Sequence, residues 1–399
     1  MKSLRGKLKE QSQLYNTMKK PKVLAQITDH ALALSGISGK RYYSDPAALT
    51  EIQLLAYEYY SIFPSWIIMD VYNIEAQLIG QSMKYLPNGM PDIDQGNPLI
   101  KTQKDLCKIK LPGNFPECGR IPLVLESLRL MEVYTGLIPV PAICAPFSMA
   151  CGIRGYARLI RDIKTRPKFA HQLLKTITDG VTIPYLKIII EKNPEVANCC
   201  LADAWGSLPN ITPQIFDEFI APYIERIRDS FKNIQINSQA YWGIRYAKDL
   251  QSFLEKKLPI EGEVIAYGDD ARAIGLEFFK NCALKQNKSI IVGIESLLIN
   301  EGHQEDLIWK VKEQMKICSS LENVTFLLED IPATAPSENI HAVTAAIKAY
   351  SRAQAPKDYD TIRVGIPERE TFPAFVRQKQ RENPDGYTFS WIDEANLIK

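Results

Sequence analysis

The sequence predicts a single (β/α)8 barrel. Two observations carry this. Seven short apolar runs each lead through polar residues into an amphipathic stretch, and no linker separates one unit from the next. Strands alternating with helices imply a parallel sheet, and so many units in series favour closure over an open sheet. The clearest unit is Asn198–Tyr223, NCCLADAWGSLPNITPQIFDEFIAPY. Cys199-Cys200-Leu201-Ala202 is an apolar run that ends on Asp203, and Gly206 to Asn210 form a turn. Thr212 then caps a helix with Pro213 at its first position. Ile215, Phe216, Phe219 and Ile220 share one face of that helix.

Composition narrows the class. The chain has 399 residues, 46% hydrophobic and 24% charged, which is ordinary for a globular protein. A net charge of +2 supplies no field for nucleic acid or a membrane surface. No long apolar run or signal-peptide core is present, so a cytoplasmic protein is expected. Eight cysteines without a CxxC do not form a disulfide scaffold, and Cys144, Cys199 and Cys200 read as small core residues. Of four histidines, His171, His303 and His341 fall in or beside helical stretches, where surface or capping roles suit them.

In chain order, the first 22 residues carry seven Lys/Arg against one Glu and read as a solvated, frayed arm. Residues 23–39 read as a short helix, closing an N-terminal helical extension over 1–39. The barrel is expected over 40–366. Asp45 caps a helix to about Phe63. Trp66–Asp70 is a strand ending on a carboxylate, followed by a helix to Ser82. Residues 84–118 are loop-rich, as a lid or functional loop would be. A helix from Arg120 ends at Thr135-Gly136, and Val140–Pro146 is the next strand. Phe147–Ile160 returns as helix. Phe169–Lys192 is a long helix with a kink expected at Pro184. Four strands follow the Asn198 unit: Ile234–Asn237, Glu263–Tyr267, Ser289–Ile294 and Val324–Leu328. Their helices span 243–257, 271–282, Glu305–Cys318 and Pro336–Tyr350. Thr361–Gly365 is the candidate eighth strand, and 367–399 is a C-terminal extension packed on the barrel.

Polar residues gather at strand ends: Asp70, Asp203, Asn237, Gln239, Tyr241, Asp269, Asp270, Glu329 and Asp330. In a barrel these converge on one mouth. Crowded carboxylates there serve as acid or base, or simply cap the following helices. No Walker A, GxGxxG or HExxH pattern supports nucleotide binding or a zinc protease.

Five segments carry a resemblance. FPSWIIMDVYNIEAQLIGQSMKYLPNGMPDI, VPAICAPFSMACGIRG, RPKFAHQLLKTITDGVTIPYLKII, CCLADAWGSLPNITPQIFDEFIAPYIERI and LLEDIPATAPSENIHAVTAAIKAY resemble, in order and spacing over roughly residues 40–350, the uroporphyrinogen decarboxylase superfamily. The resemblance implies a (β/α)8 TIM barrel with its site at the strand carboxyl ends, and it implies one of two chemistries. Porphyrinogen decarboxylases place an aspartate at the position of Asp70. They also carry an Arg-Gln-Ala-Gly-Arg-Tyr signature that this chain lacks, and with it the arginines that bind a polycarboxylate. The DVYNIEAQLIG stretch is more similar to the corrinoid-dependent methyltransferases, particularly O-demethylase components of anaerobes. These exchange a methyl group between a small methylated compound, or coenzyme M, and the cobalt of a corrinoid (cobalamin) on a partner protein.

The coenzyme M enzymes bind zinc through His-x-Cys and a late Cys. Those positions read Asn237-Ser238-Gln239 and Glu329 here. Three readings stay open. A metal is held by Glu329 with Gln239, Asp269 or Asp203; Asp203 or Glu329 protonates the leaving atom without a metal; or catalysis has been lost. Asp203, Glu329 and Asp70 are thus the catalytic candidates. Tyr72, Asn73, Phe147, Trp205, Asn237, Gln239, Tyr241 and Trp242 are candidates for binding a methoxy-aromatic or methylammonium group. The runner-up functions are a decarboxylase or lyase using Asp70 and a non-catalytic corrinoid or tetrapyrrole binder. A homodimer is left open.

Overall fold

The computed structural model describes residues 2–18, 21–67, 69–87, 89–208, 210–239 and 263–392. Its strands are β1 (Lys22–Ala25), β2 (Met83–Lys84), β3 (Asp92–Ile93), β4 (Ala142–Cys144), β5 (Asn198–Ala202), β6 (Gln235–Gln239), β7 (Val264–Ala266), β8 (Ile290–Ile294) and β9 (Val324–Leu328). All but the β2–β3 hairpin belong to a (β/α)8 barrel of parallel strands, seen as two hydrogen-bonded arcs. One arc runs β4–β5–β6 and the other β7–β8–β9–β1.

Closure comes from the start of the chain. β1 pairs in parallel with β9, Lys22 beside Thr325 and Ala25 beside Leu328. The helix expected over 23–39 forms only at Thr28–Ser35, after this strand, and the strand expected at Thr361–Gly365 does not form. Four residues, Lys-Val-Leu-Ala, are too few to show a period, so only the pairing reveals the strand. The strand expected at Trp66–Asp70 joins no ladder among the described residues; Ile68 lies outside them. The segment still sits beside β1. The Phe63 amide donates to the Val23 carbonyl at 3.0 Å, and the Trp66 indole to the Ala25 carbonyl at 3.0 Å. The helix expected at 243–257 also lies outside the described residues.

Local chemistry sets the helix ends. Asp45 accepts from the Ala47 and Ala48 amides at the start of Pro46–Tyr60. Thr212 accepts from the Ile215 amide at the start of Pro213–Phe219. Two expected helices are each two: Gly155 and Gly275 adopt φ of 87° and 97°, which breaks Pro146–Arg154 from Tyr156–Thr165 and Gly268–Ile274 from Leu276–Gln286. The irregularity expected at Pro184 is a wide π turn at Thr178–Thr182, between helices Pro167–Ile177 and Ile183–Lys192. Pro184 has no N–H and its ring crowds the carbonyl four residues back, so the preceding turn widens. Among the described residues, no helix is long and apolar enough to cross a membrane.

Segments toward both ends, 4–18 and 372–391, pack on the barrel. Residues Leu4–Met18 form a helix whose Leu4 and Leu8 are buried, which corrects the solvated arm. Near the other end, Phe372–Glu382 is a helix, and Tyr387, Phe389 and Trp391 enter the core. The fully buried Glu51 fastens this segment. It accepts from the Thr388 amide at 2.7 Å, the Phe389 amide at 3.0 Å, the Trp391 indole at 2.8 Å and the Tyr134 hydroxyl at 3.0 Å. Lys379 is equally buried, between Glu58 and Asp385, while Lys7 reaches Glu58 and the Leu4 amide donates to Asp385.

Replacing Glu51 with Ala leaves these donors unanswered. The expected loss is on the order of 3–5 kcal/mol, with earlier proteolysis of residues beyond 382. Thermal melts and timed protease digestion measure both, and a melt superimposable on the parent's would refute the clasp.

Candidate active site

Two cavities open among the strand carboxyl ends. The first, about 460 Å³, is mainly apolar: Trp66, Ile67, Val71, Tyr72, Met90 and Ala202 contribute to its walls. Its polar lining includes Gln26, Asp29, Cys200 and Asp330. Burial pushes the Cys200 thiol up to about 12, so it stays protonated at neutral pH. The second cavity, about 510 Å³, is acidic, with Asp269, Asp270, Glu295, Glu329 and Asp330 on its walls. Tyr267, Asp330 and Pro332 line both cavities and form the partition between them. Asp330 holds φ of 33°, a left-handed conformation that Asp tolerates better than most residues. Its amide donates to Gln26 Oε1 at 3.1 Å, and its carbonyl accepts from Ser296.

Glu329 follows β9 directly and is 6% exposed. Its Oε1 accepts from the Gly268 amide at 2.7 Å. Burial, reinforced by Glu295, Asp330 and Asp270, pushes its carboxyl up to about 8 against the pull of the Gly268 N–H. It therefore carries a proton at neutral pH. Room for it comes from the neighbouring strand. A Cβ on Gly293 of β8 would lie 1.6 Å from Glu329 Oε1 and 2.6 Å from the Gly268 nitrogen.

The other candidates are placed differently. Asp203 is 1% exposed and lines neither cavity. Its Oδ1 accepts from the Ser148 amide at 3.2 Å and hydroxyl at 2.6 Å, and Ser148 Oγ in turn accepts from the Trp205 amide. It ties the end of β5 to the first turn of Pro146–Arg154. Asp70 is bound on both oxygens, by Asn73 Nδ2 and Arg120 Nη2, each at 2.7 Å. Burial raises its pKa and the Arg120 charge opposes this. Neither Asp70 nor Asn73 lines a cavity; Asn73 also donates to the Pro91 carbonyl.

Phe147, expected at the substrate, is a core side chain, 1% exposed and away from both cavities, because it begins the inward face of its helix. Trp205 is half-exposed and stacks on Tyr156 at 4.9 Å, again off the cavity walls. Tyr72 does line the first cavity. Asn237 lies on β6 opposite Cys200 and accepts from Gln235. Gln239 pairs with Ala202 through its backbone, while Tyr241 and Trp242 lie outside the described residues. Two acids went unnoticed in the sequence. Glu295 follows β8 as Glu329 follows β9, so the strand-end rule applied evenly would have found it. Glu75 accepts from the Cys144 amide at 2.9 Å, and burial pushes it up to about 8; nothing in its helical context marks it.

A zinc site does not fit this arrangement. Asp269 pairs with Arg272 on the exposed rim, and Glu329 is engaged with Gly268. Among the described residues, no three His, Cys, Asp or Glu side chains are grouped to hold a metal ion. The amide and carboxyl groups of the candidate ligands are not the soft Cys and His donors that zinc prefers.

Residues 25–350, which include both cavities, match the sequence profile of the family described as uroporphyrinogen decarboxylase (URO-D). The chain belongs to that family. It is 27% identical over 215 residues to a methylated-thiol–coenzyme M methyltransferase of Methanosarcina mazei. That match covers 53% of this chain and 56% of the relative. Its fold is shared with a solved structure described as a methyltransferase from Methanosarcina mazei, at 16% identity and a TM-score of 0.67, over 87% of this chain and 99% of that one.

Two outcomes follow. Gly293→Ala forces Glu329 or the Gly268 backbone to move, at a cost of about 2 kcal/mol read from a thermal melt; a neutral substitution would contradict the packing. The second concerns pH. Glu329 titrates near 8 when folded against an ordinary 4.5, so between those values the folded chain holds a proton that the unfolded chain releases. Its contribution makes stability fall as pH rises through that window and level off above it. Glu329→Gln removes this part of the fall, so the variant's melting temperature gains on the parent's from pH 5 to 8, a range set by that shift. Parallel curves would exclude a raised Glu329 pKa.

Proposed function

We propose that this chain is a corrinoid-dependent methyltransferase of the cytoplasm. It takes a methyl group from a small methoxy-aromatic or similar O- or N-methyl compound and passes it to the cobalt of a corrinoid on a partner protein. One observation carries the reading: a buried carboxylic acid, Glu329, protonated at neutral pH, stands at the barrel mouth next to an apolar cleft. The likeness to a named methyltransferase supports it. At about 460 Å³ the cleft is the size of a small-molecule site, which leaves the corrinoid to the partner at the rim.

The corrinoid supplies the methyl acceptor when bound; the protein supplies position and a proton. Trp66, Tyr72 and Met90 hold the donor's apolar body. The leaving oxygen or nitrogen is placed toward the wall shared with the acidic cavity; as the methyl carbon leaves it, the bonding electron pair stays on that atom and takes the proton of Glu329, which lines the acidic side. An alkoxide or amide anion is thereby never released. Asp203 acts as a positioning residue, fixing the Ala202–Ala204 wall through Ser148. The decarboxylase reading has less support, since Asp70 is tied to Arg120 and Asn73.

The test is methyl transfer to free cob(I)alamin from a panel of methoxy-aromatic compounds and methylamines. Glu329→Gln is expected to lower the rate by roughly 10²–10⁴-fold without loss of folding. Asp203→Asn is expected to lower it as well. Carbon dioxide release from porphyrinogens without methyl transfer would replace this reading with the decarboxylase, and equal rates in Glu329→Gln would remove Glu329 as the acid.

A further inference from the structure

The first cavity is an apolar cleft whose described lining includes no Lys, Arg or His. One of its carboxylates, Asp29, lies in the first turn of the helix Thr28–Ser35 and is half-buried. Asp29 accepts from the Tyr43 hydroxyl at 3.1 Å and from the Met90 amide. Both donors are neutral, so they fix the carboxylate in place without cancelling its charge.

The rest of the lining suits a flat ring. The Trp66 indole is held by its 3.0 Å bond to the Ala25 carbonyl, and Tyr72 adds a second aromatic side chain. Small side chains on neighbouring strands leave the room. Ala142 of β4 pairs in register with Cys200 of β5, and Ala202 follows on the same face of β5. At about 460 Å³ the space suits a single substituted ring.

We infer that this cavity takes an uncharged aromatic molecule whose hydroxyl group donates to Asp29, and that it turns away carboxylates and sulfonates. A hydroxyl donating to a carboxylate makes a charge-assisted bond, and it loses less on leaving water than an ammonium does. An acid group in the same place brings a second negative charge into an apolar cleft, where no described lining residue carries a positive one. Asp29 is thereby a specificity-determining residue. That the molecule is the methyl donor rests on the function proposed above, which this narrows to methoxy-aromatic compounds with a hydroxyl and no acid group. The binding preference itself follows from the cleft alone.

Calorimetric titration of the full chain, without corrinoid, with three molecules of one shape tests this: 3-methoxybenzyl alcohol, 3-methoxytoluene and 3-methoxybenzoate. The alcohol is expected to bind saturably, roughly tenfold or more tightly than either of the others. Asp29→Asn keeps an oxygen for Tyr43 and Met90 and removes the charge. It should close most of the gap between alcohol and benzoate and leave 3-methoxytoluene unchanged, which also reports that the cleft is intact. Benzoate binding as tightly as the alcohol, no binding by any of the three, or the parent's ranking retained in Asp29→Asn would each overturn the proposal. Selective binding of the alcohol without methyl transfer from it to cob(I)alamin would uphold the proposal and remove the methyltransferase reading instead.

Discussion

The mouth of this barrel is governed by the cost of taking carboxylates out of water. Strand ends deliver Asp203, Glu295 and Glu329, and the segment beside β1 delivers Asp70, into sites where each is at most 7% exposed. A bare charge is untenable there. Each acid meets the constraint in its own way. Asp70 takes an arginine, Asp203 an amide and a hydroxyl, Glu295 a lysine on one oxygen, and Glu329 a backbone N–H and a proton. Only the last solution leaves a group able to give something away. Chemical competence and structural service are thus sorted by what lies within 3 Å of each carboxyl.

Neighbouring strands make that sorting possible. In a parallel barrel the ends of β7, β8 and β9 lie side by side, so a large side chain on one needs a small one on the next. Gly293 yields to Glu329, and Gly268 yields to Glu295. The two acids occupy space that any other residue at 293 or 268 would fill. Gly268 makes way for Glu295 and its N–H donates to Glu329, so one residue gives room to one acid and tunes the other.

Much of the barrel was readable because its strands are apolar and its helices begin with recognisable caps. Val324–Leu328 and Pro46–Tyr60 lie where pattern and capping chemistry placed them. What escaped was set by long-range partners. β1 is a strand only because β9 lies beside it, and the N-terminal helix is buried only because of neighbours distant in sequence. The site divides in the same way. A carboxylate at a strand end announces itself, as Glu329 does. Whether it faces a cavity or a serine depends on the adjacent element, so Asp203 reads as a catalytic candidate and Phe147 as a substrate contact, and neither lines either cavity. The Glu295–Lys310 pair, which joins a strand end to a later helix, was not visible in the sequence.

The Glu51 clasp has a consequence for how the chain is made. Glu51 belongs to an early helix, and its partners Thr388, Phe389 and Trp391 are synthesised more than three hundred residues later. At about 5–20 residues per second, a ribosome needs tens of seconds to deliver them. Throughout that interval the helix Pro46–Tyr60 carries a carboxylate destined for the interior with most of its donors not yet made. The barrel wall around it has to stay open and hydrated until residues 388 to 391 have been made. Nascent chains stalled short of residue 388 are therefore the form of this protein most exposed to chaperones and proteases.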